Sequence, residues 1–366
     1  MPDEKGSTQG TPGDVGPDQH PPGGDAPSES LALSGPTPMA RRGQQRRSYT
    51  LEGNMHPDLQ VFSGSANPML AQEIADALGI PLGRALVGTF KNGETRIRIE
   101  DNVRGADVFV VQPTCKPTDH NIMELLLMID ALRRASAQRI TAVIPYYGYA
   151  KQEKKTAGRE PISAKLVANL ITTAGADRVL TMDLHAPAIE GFFDIPVDHL
   201  RAGGVLAAHL RKLDLDDVVV VSPDAGGVLR ANEFRARVGA SLAIIAKQRP
   251  RPDVAEAFEM VGDVRGKTAV LVDDLLSTGG TAVEAARMIL DRGARDVYMY
   301  ATHAAMTPEA VDLIVRSPLH RLVVTNTIPL GLEQRDDKIE VLTVAPLLAE
   351  TIKRIHEGES VSALFT

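Results

Sequence analysis

From about residue 56 onward, short apolar runs rich in valine and isoleucine alternate with segments that have helical periodicity. One such series is ADVFVVQP, NIMELLLMIDALRRA and RITAVIPYY, and another is TAVLVDDL, VEAARMILDRG and RDVYMYATH. The strand-like runs are apolar at successive positions, which is typical of strands with both faces buried. Buried strands that alternate with helices indicate a parallel sheet covered by helices. The predicted fold class is therefore α/β.

These segments also suggest an internal repeat. VFVVQPT and the helix and strand after it align with AVLVDDL and its own helix and strand, about 160 residues later. A duplicated α/β domain would explain this spacing, but any two strand–helix–strand units share the same pattern. Both explanations stay open. The copies differ at the end of the first strand, where Gln112 and Pro113 correspond to Asp273 and Asp274.

The first 40 residues have a different composition from the rest, with eight prolines and seven glycines. A segment with so few apolar side chains cannot bury enough surface to offset the conformational entropy lost on folding. Residues 1–55 are therefore predicted to be a disordered tail. The remaining length suits two domains of ordinary size.

Charge and cysteine content exclude several classes of protein. The net charge is -7, from 40 Lys and Arg against 47 Asp and Glu, which argues against binding of nucleic acid through its phosphates. The single cysteine, Cys115, excludes an intrachain disulfide and suits a reducing compartment. No apolar run is long enough for a membrane span, and the N-terminus lacks an apolar signal core. We therefore expect a cytoplasmic protein without nucleic-acid or membrane partners.

The strongest local signal is VLVDDLLSTGGTAVEAA, in which an apolar strand is followed by a glycine-containing loop and a helix. Ligands bind at the carboxyl ends of strands in open parallel sheets, which is where Asp273 and Asp274 lie. Glycines let backbone N–H groups approach an anion, and a helix N-terminus favours negative charge. Such a loop would bind a phosphate, and the two carboxylates would accept hydrogen bonds from hydroxyls. The alternative is a tight turn with a helix cap at Thr281.

Three other positions could bind a metal ion. Asp183 and His185 follow the strand DRVLTM and would point the same way on an extended chain, so that both could reach one Mg²⁺. The alternative for His185 is a structural histidine, because Mg²⁺ prefers oxygen ligands. Asp224 ends the strand DVVVVSPD, and its alternative is a turn or helix cap.

Two polar segments have simpler interpretations. The segment KQRPRPDVAEA, which begins at Lys247 and includes Arg249, is predicted to form a mobile loop between strands. Its default interpretation is exposed surface charge. In TFKNGETRIRI, Asn92 and Gly93 predict the turn of a hairpin.

The segment from Val270 to Ala286 resembles the phosphoribosyl-diphosphate binding loop of the type I phosphoribosyltransferase fold. Other segments narrow this to a resemblance to the class I ribose-phosphate pyrophosphokinase family: TMDLHAPAIEGFFDIPVDHL, VVSPDAGGVLRA, LAIIAKQRPRP, IPYYGYAKQEKK and REPISAKLVANL. The resemblance extends from about Leu59 to Phe365. It implies two tandem, similar Rossmann-like domains with parallel sheets flanked by helices. These would be residues 56–204, completed by 347–366, and residues 205–346.

The resemblance implies an enzyme, a ribose-phosphate diphosphokinase. Such an enzyme transfers the β,γ-diphosphoryl group of ATP to the C1 hydroxyl of ribose 5-phosphate, giving 5-phosphoribosyl 1-diphosphate and AMP. Mg²⁺ would be the cofactor, and dimers would assemble into a homohexamer. Two alternatives are a non-catalytic regulatory subunit of that enzyme and a transferase that consumes its product.

The resemblance also implies roles for particular residues. Asp273 and Asp274 would bind the ribose hydroxyls, and the 5-phosphate would be bound by Ser277, Thr278, Gly279, Gly280 and Thr281. The metal ligands would be His185 and Asp224, with Asp183 beside them, and Lys247 and Arg249 would stabilise the transferring diphosphate. ATP would be bound by Lys151 and Gln152 and, from a neighbouring subunit, by Phe90, Asn92, Gly93 and Glu94. The chain departs from the family pattern at Lys151 (usually Arg), Gln248 (Arg), Ser277 (Asp) and the run from Ala188 to Glu190 (Gln-Ile-Gln).

Overall fold

The structure, a computed structural model, describes residues 58–248 and 257–364. The tail predicted to be disordered lies outside the described residues, as does Arg249. No helix within the described ranges is long and apolar enough to cross a membrane.

The first half of the described chain forms a five-stranded sheet and a separate hairpin. The strands are β1 Leu59–Ser63, β2 Ala85–Thr89, β3 Thr95–Ile99, β4 Asp107–Val111, β5 Arg139–Ile144, β6 Arg178–Met182 and β7 Val197–Leu200. The sheet has the order β1-β4-β5-β6-β7 with every pair parallel, and β2 and β3 form the antiparallel hairpin. The helices are α1 Pro68–Leu78, α2 Thr118–Arg134, α3 Ser163–Ala174 and α4 Gly203–Lys212.

The second half forms a seven-stranded sheet of order β10-β9-β8-β11-β12-β13-β14. Its strands are β8 Val218–Ser222, β9 Ser241–Gln248, β10 Ala257–Val261, β11 Thr268–Leu276, β12 Asp296–Ala304, β13 Arg321–Thr325 and β14 Ile339–Leu342. All pairs are parallel except β9 with β10. The helices are α5 Val228–Val238, α6 Gly280–Asp291, α7 Pro308–Val315 and α8 Ala345–Glu357, with 3-10 helices at Leu332–Gln334 and Ser362–Leu364. A further 3-10 helix, Pro187–Phe192, lies between β6 and β7 of the first half.

Local sequence explains where these elements form. Every residue of β4 is buried, as expected for a strand covered on both faces. Helix α1 begins after Asn67, whose side chain accepts a hydrogen bond from the Leu70 N–H, and it ends at Gly79, which has a left-handed φ of 70°. The predicted α/β class, with parallel sheets flanked by helices, is confirmed.

Helix α8 follows the second sheet in the chain but packs against α1. Leu348 and Ile352 of α8 belong to the same buried cluster as Leu70 and Ile74 of α1. This is the contact expected if the C-terminal segment completes the first domain. The exact domain boundaries stay a prediction.

Strand order also positions the polar residues that follow the strands. Strands β8 and β11 are parallel neighbours, with Val221 opposite Leu271. Asp224 follows β8, and Asp273 and Asp274 lie near the end of β11. Because the carboxyl ends of parallel neighbours meet at one edge of a sheet, these three carboxylates share one region.

Candidate active site

An open cavity of about 540 Å³ lies at this edge of the second sheet. It gathers residues from several separate motifs, and half of the predicted site residues line it: Lys151, His185, Asp224, Asp273, Asp274, Ser277, Thr278, Gly279 and Thr281. Gly280 is the first residue of α6, which the loop enters. The structure thus brings two of the three predicted metal ligands to the same cavity as the predicted ribose and phosphate residues.

The loop from Ser277 to Gly279 connects β11 to α6. Gly279 stands at the N-cap with a left-handed φ of 77°, a conformation that residues with a Cβ rarely adopt. Among the described residues, no side chain caps the first turn of α6. Its N–H groups therefore remain available to an anion, and the helix dipole favours negative charge there.

The two acids at the end of β11 are held by a histidine and an arginine. Asp274 Oδ2 lies 2.9 Å from His185 Nδ1, and Asp274 Oδ1 lies 3.1 Å from Arg230 Nη1. The same Arg230 nitrogen donates to Asp273 Oδ1 over 3.0 Å, and the Asp274 N–H donates to that oxygen over 2.8 Å. Sequence reasoning missed Arg230. The available signal was its place in the segment VVSPDAGGVLRA, six residues after Asp224.

In these surroundings the pKa values of the two acids shift in opposite directions. Burial, together with the neighbouring Asp274, raises the pKa of Asp273 above its usual range. Burial opposes ionisation of Asp274 as well, but the His185 hydrogen bond and the Arg230 charge lower its pKa. The hydrogen bond to Asp274 in turn raises the pKa of His185. Asp274 is therefore the more strongly ionised member of the pair.

Asp183 does not have the extended backbone conformation that the sequence analysis assumed for it. Strand β6 ends at Met182, and Asp183 has a left-handed φ of 38°. Its buried carboxylate oxygen Oδ2 accepts hydrogen bonds from the Ala202 N–H at 3.0 Å and the Thr302 hydroxyl at 2.6 Å. Asp183 is not among the residues that line the 540 Å³ cavity, whereas His185 is.

Asp224 is exposed in the cavity, and its Oδ1 accepts a hydrogen bond from the Gly227 N–H at 2.8 Å. It therefore closes the turn before α5 while its carboxylate faces the space that His185 also lines. Within residues 58–248 and 257–364, no group of three or more His, Cys, Asp or Glu side chains is arranged to hold a metal ion.

Two models of known protein families match the chain. The N-terminal domain of ribose phosphate pyrophosphokinase matches residues 59–175, and the phosphoribosyl synthetase-associated domain matches residues 246–366. Proteins named ribose-phosphate pyrophosphokinase from Caldanaerobacter subterraneus and Bacillus subtilis are 57% and 50% identical to it. Each match spans 309 residues, which are 84% of this chain and 98% of the relative. The chain belongs to the ribose-phosphate pyrophosphokinase family.

A solved structure of the ribose-phosphate pyrophosphokinase type agrees with the fold. Phosphoribosylpyrophosphate synthetase from Mycobacterium smegmatis is 43% identical and matches with a TM-score of 0.78, over 82% of this chain and 99% of that one. The prediction of two tandem Rossmann-like halves of the type I phosphoribosyltransferase kind is confirmed, as is the family to which the sequence was assigned.

Two groups of residues predicted to bind ATP lie apart in the structure. Phe90 and Glu94 close the β2–β3 hairpin through a 2.7 Å backbone hydrogen bond, so the predicted turn is confirmed. Asn92 and Gly93 form the tip of that turn, and none of these four residues lines the 540 Å³ cavity. Lys151 lines both that cavity and an adjacent open surface that includes Gln152.

The first two residues of the predicted catalytic loop, Lys247 and Gln248, belong to a strand. Lys247 is still part of β9, where its backbone pairs with Phe258 of β10. Lys247 and Gln248 therefore end a strand that pairs with the edge strand β10 of the second sheet, and residues 249–256 lie outside the described residues.

Proposed function

We propose that the protein is a ribose-phosphate diphosphokinase. It would transfer the β,γ-diphosphoryl group of ATP to the C1 hydroxyl of ribose 5-phosphate and release AMP. The observation that carries the proposal is the convergence of four features in one cavity: the acid pair, the open helix N-terminus, His185 and Asp224. Each of the four suits a different part of these two substrates.

Ribose 5-phosphate matches the acid pair and the loop. The hydroxyls of ribose would donate to Asp273 and Asp274, and the 5-phosphate would accept from the loop and the first turn of α6. That phosphate site would comprise Ser277, Thr278, Gly279, Gly280 and Thr281. The arrangement is supported by the left-handed Gly279, which lets backbone N–H groups face the cavity.

Mg²⁺ would be held by His185 and Asp224. The Asp274 contact leaves Nε2 of His185 as the nitrogen for a ligand, and a carboxylate behind a ligating histidine is the usual way to fix its tautomer. Two protein ligands suit an ion that completes its shell with water and substrate phosphates. We assign Asp183 a structural role in the loop that contains His185, because its Oδ2 already accepts two hydrogen bonds. When bound, Mg²⁺ would neutralise charge on the ATP phosphates.

Catalysis would depend on alignment and charge stabilisation, as in other phosphoryl transfers. Lys247 and Arg249, at the end of β9 and beyond it, would neutralise charge that develops on the transferring diphosphate. Lys151 and Gln152 would bind ATP next to the cavity. The hairpin residues Phe90, Asn92, Gly93 and Glu94 would complete the adenine site of a neighbouring subunit, which is supported by their position away from this chain's own cavity.

We also propose a homo-oligomer built from dimers into a hexamer. Helices α2 and α3 contact each other and expose four large apolar side chains with i,i+4 spacing: Met123, Leu127, Leu166 and Leu170. Apolar side chains that share a face of two adjacent helices favour contact with another subunit. The cytoplasm is the proposed location, because the only cysteine is a buried free thiol. No nucleic-acid or membrane partner is proposed.

The test is release of AMP from ATP by the purified protein. AMP should form only when ribose 5-phosphate and Mg²⁺ are both present. Asp273→Asn should lower the rate by about 100-fold, whereas the exposed Asp263→Asn should not. A folded protein that binds ATP but releases no AMP would be the non-catalytic subunit instead. AMP release that ignores ribose 5-phosphate would contradict the proposal.

A further inference from the structure

Arg230 lies in the first turn of α5, within the segment VVSPDAGGVLRA, and the sequence analysis gave it no role. Its Nη1 is 3.0 Å from Asp273 Oδ1 and 3.1 Å from Asp274 Oδ1. The side chain is 27% exposed. One guanidinium nitrogen therefore contacts both acids of the pair at the same time.

This contact is unusual for adjacent residues of a strand. Neighbouring side chains on an extended strand point to opposite faces, and two carboxylates brought together repel each other. Here both carboxylates turn toward one cation at the carboxyl end of β11. The cation that offsets their repulsion also fixes the direction in which both of them point.

Arg230 borders two cavities. It lines the 540 Å³ cavity and also a smaller cavity of about 120 Å³, whose walls include Phe234 and Val272. The guanidinium thus forms part of the wall between the two spaces. From there it reaches the acids from the side of α5, whereas His185 reaches Asp274 from the first half of the chain.

We infer that Arg230 is a positioning residue for the ribose hydroxyls: it holds Asp273 and Asp274 in the orientation in which both face the substrate. This inference rests on the proposed function, in which those carboxylates bind ribose. Arg230 acts through the acid pair and not on ATP. Its removal should therefore weaken binding of one substrate selectively.

The experiment compares Arg230→Met with Arg237→Met. Arg237 lies two turns later on α5, lines only the smaller cavity and is exposed. Arg230→Met should raise the KM for ribose 5-phosphate by about 100-fold, because misplacing a binding group by about 1 Å has effects of this size. The KM for ATP should change by less than about threefold, and Arg237→Met should change neither. Arg230→Lys should have a KM for ribose 5-phosphate about tenfold lower than that of Arg230→Met, because a single nitrogen makes both contacts and Lys keeps the charge.

The outcomes separate the two proposals. Wild-type protein without AMP release would overturn the proposed function and this inference with it. If the wild-type protein is active, two results would overturn the inference alone. One is an equal KM for ribose 5-phosphate in Arg230→Met and Arg237→Met. The other is an equal rise in the KM values for ribose 5-phosphate and ATP in Arg230→Met. If Arg230→Met does not fold, Arg230→Lys is compared with Arg237→Lys in its place. An equal KM for ribose 5-phosphate in these two variants would again overturn the inference.

Discussion

His185 Nδ1 lies 2.9 Å from Asp274 Oδ2, and this contact links the loop after β6 in the first sheet to β11 in the second. The two halves of the chain thus share one functional contact. The proposed metal ligand comes from one half, and the carboxylate that orients it comes from the other. Neither half holds this arrangement alone.

Asp274→Asn should raise the Mg²⁺ concentration needed for half-maximal AMP release by about 10-fold to 100-fold. The amide is uncharged and no longer selects the His185 tautomer that presents Nε2. The measurement is rate against Mg²⁺ at saturating ribose 5-phosphate. Asp291→Asn, at the exposed end of α6, is the control. Equal Mg²⁺ requirements in the two variants would contradict the assigned role of His185.

Gly279→Ala should destabilise the protein by about 1–2 kcal/mol, because a Cβ disfavours the left-handed φ of 77°. No atom lies closer than 3.5 Å to the added methyl, so the cost comes from the backbone and not from a clash. Gly280→Ala is the matched variant: Gly280 is helical, with no atom within 4 Å of an added Cβ. Urea unfolding should show the smaller loss for Gly280→Ala. The reverse order would contradict the strain assigned to Gly279.

His303 should make stability depend on pH. It is fully buried, which lowers its pKa, and its Nδ1 lies 2.9 Å from the Thr327 hydroxyl. Below about pH 6.5 the unfolded chain binds a proton at His303 that the folded protein excludes. The free energy of unfolding should therefore fall as the pH falls, by up to about 1.4 kcal/mol per pH unit for this proton.

This pH effect is measured by urea unfolding between pH 5.5 and 7.5. His303→Gln should show a shallower fall than wild type over that range. The exposed His320→Gln should keep the wild-type slope. Parallel curves for wild type and His303→Gln would show that another group is responsible.

Cys115 should be unreactive in the folded protein. The residue is only 5% exposed, and burial raises the pKa of its thiol to about 11. At pH 8 almost no thiolate is present to react with a disulfide reagent such as DTNB. The folded protein should therefore release no thionitrobenzoate over minutes, and one equivalent should appear after unfolding in urea. Rapid release from folded protein would show that this region opens.

Leu166→Glu should lower the oligomeric mass if α2 and α3 form a subunit contact. Leu166 is 57% exposed between apolar neighbours, so a buried charge there would oppose association. Leu332→Glu, at an exposed site outside these helices, is the control. Light scattering should give a smaller mass for the first variant only. An unchanged mass would exclude this face as an essential contact.

Most of the features that could be predicted depend on residues that are close together in the chain. Asn67 and Gly79 determine the ends of α1 through their own side chain or backbone, and the loop after Asp274 contains its own glycines and hydroxyls. Arg230 could not be predicted, because its partner Asp273 lies 43 residues further along the chain. Its helix has an ordinary amphipathic sequence. The left-handed turn at Asp183 was equally invisible, because nothing in DLH distinguishes a strand that continues from one that ends.

Helix α8 has a consequence for synthesis on the ribosome. Translation produces the first sheet and α1 well before α8, because the whole second sheet comes between them in the chain. Until α8 is made, Leu70 and Ile74 of α1 lack part of the buried cluster that covers them. The nascent first half therefore leaves these apolar side chains partly uncovered throughout synthesis of the second, and exposed apolar surface of this kind is bound by chaperones.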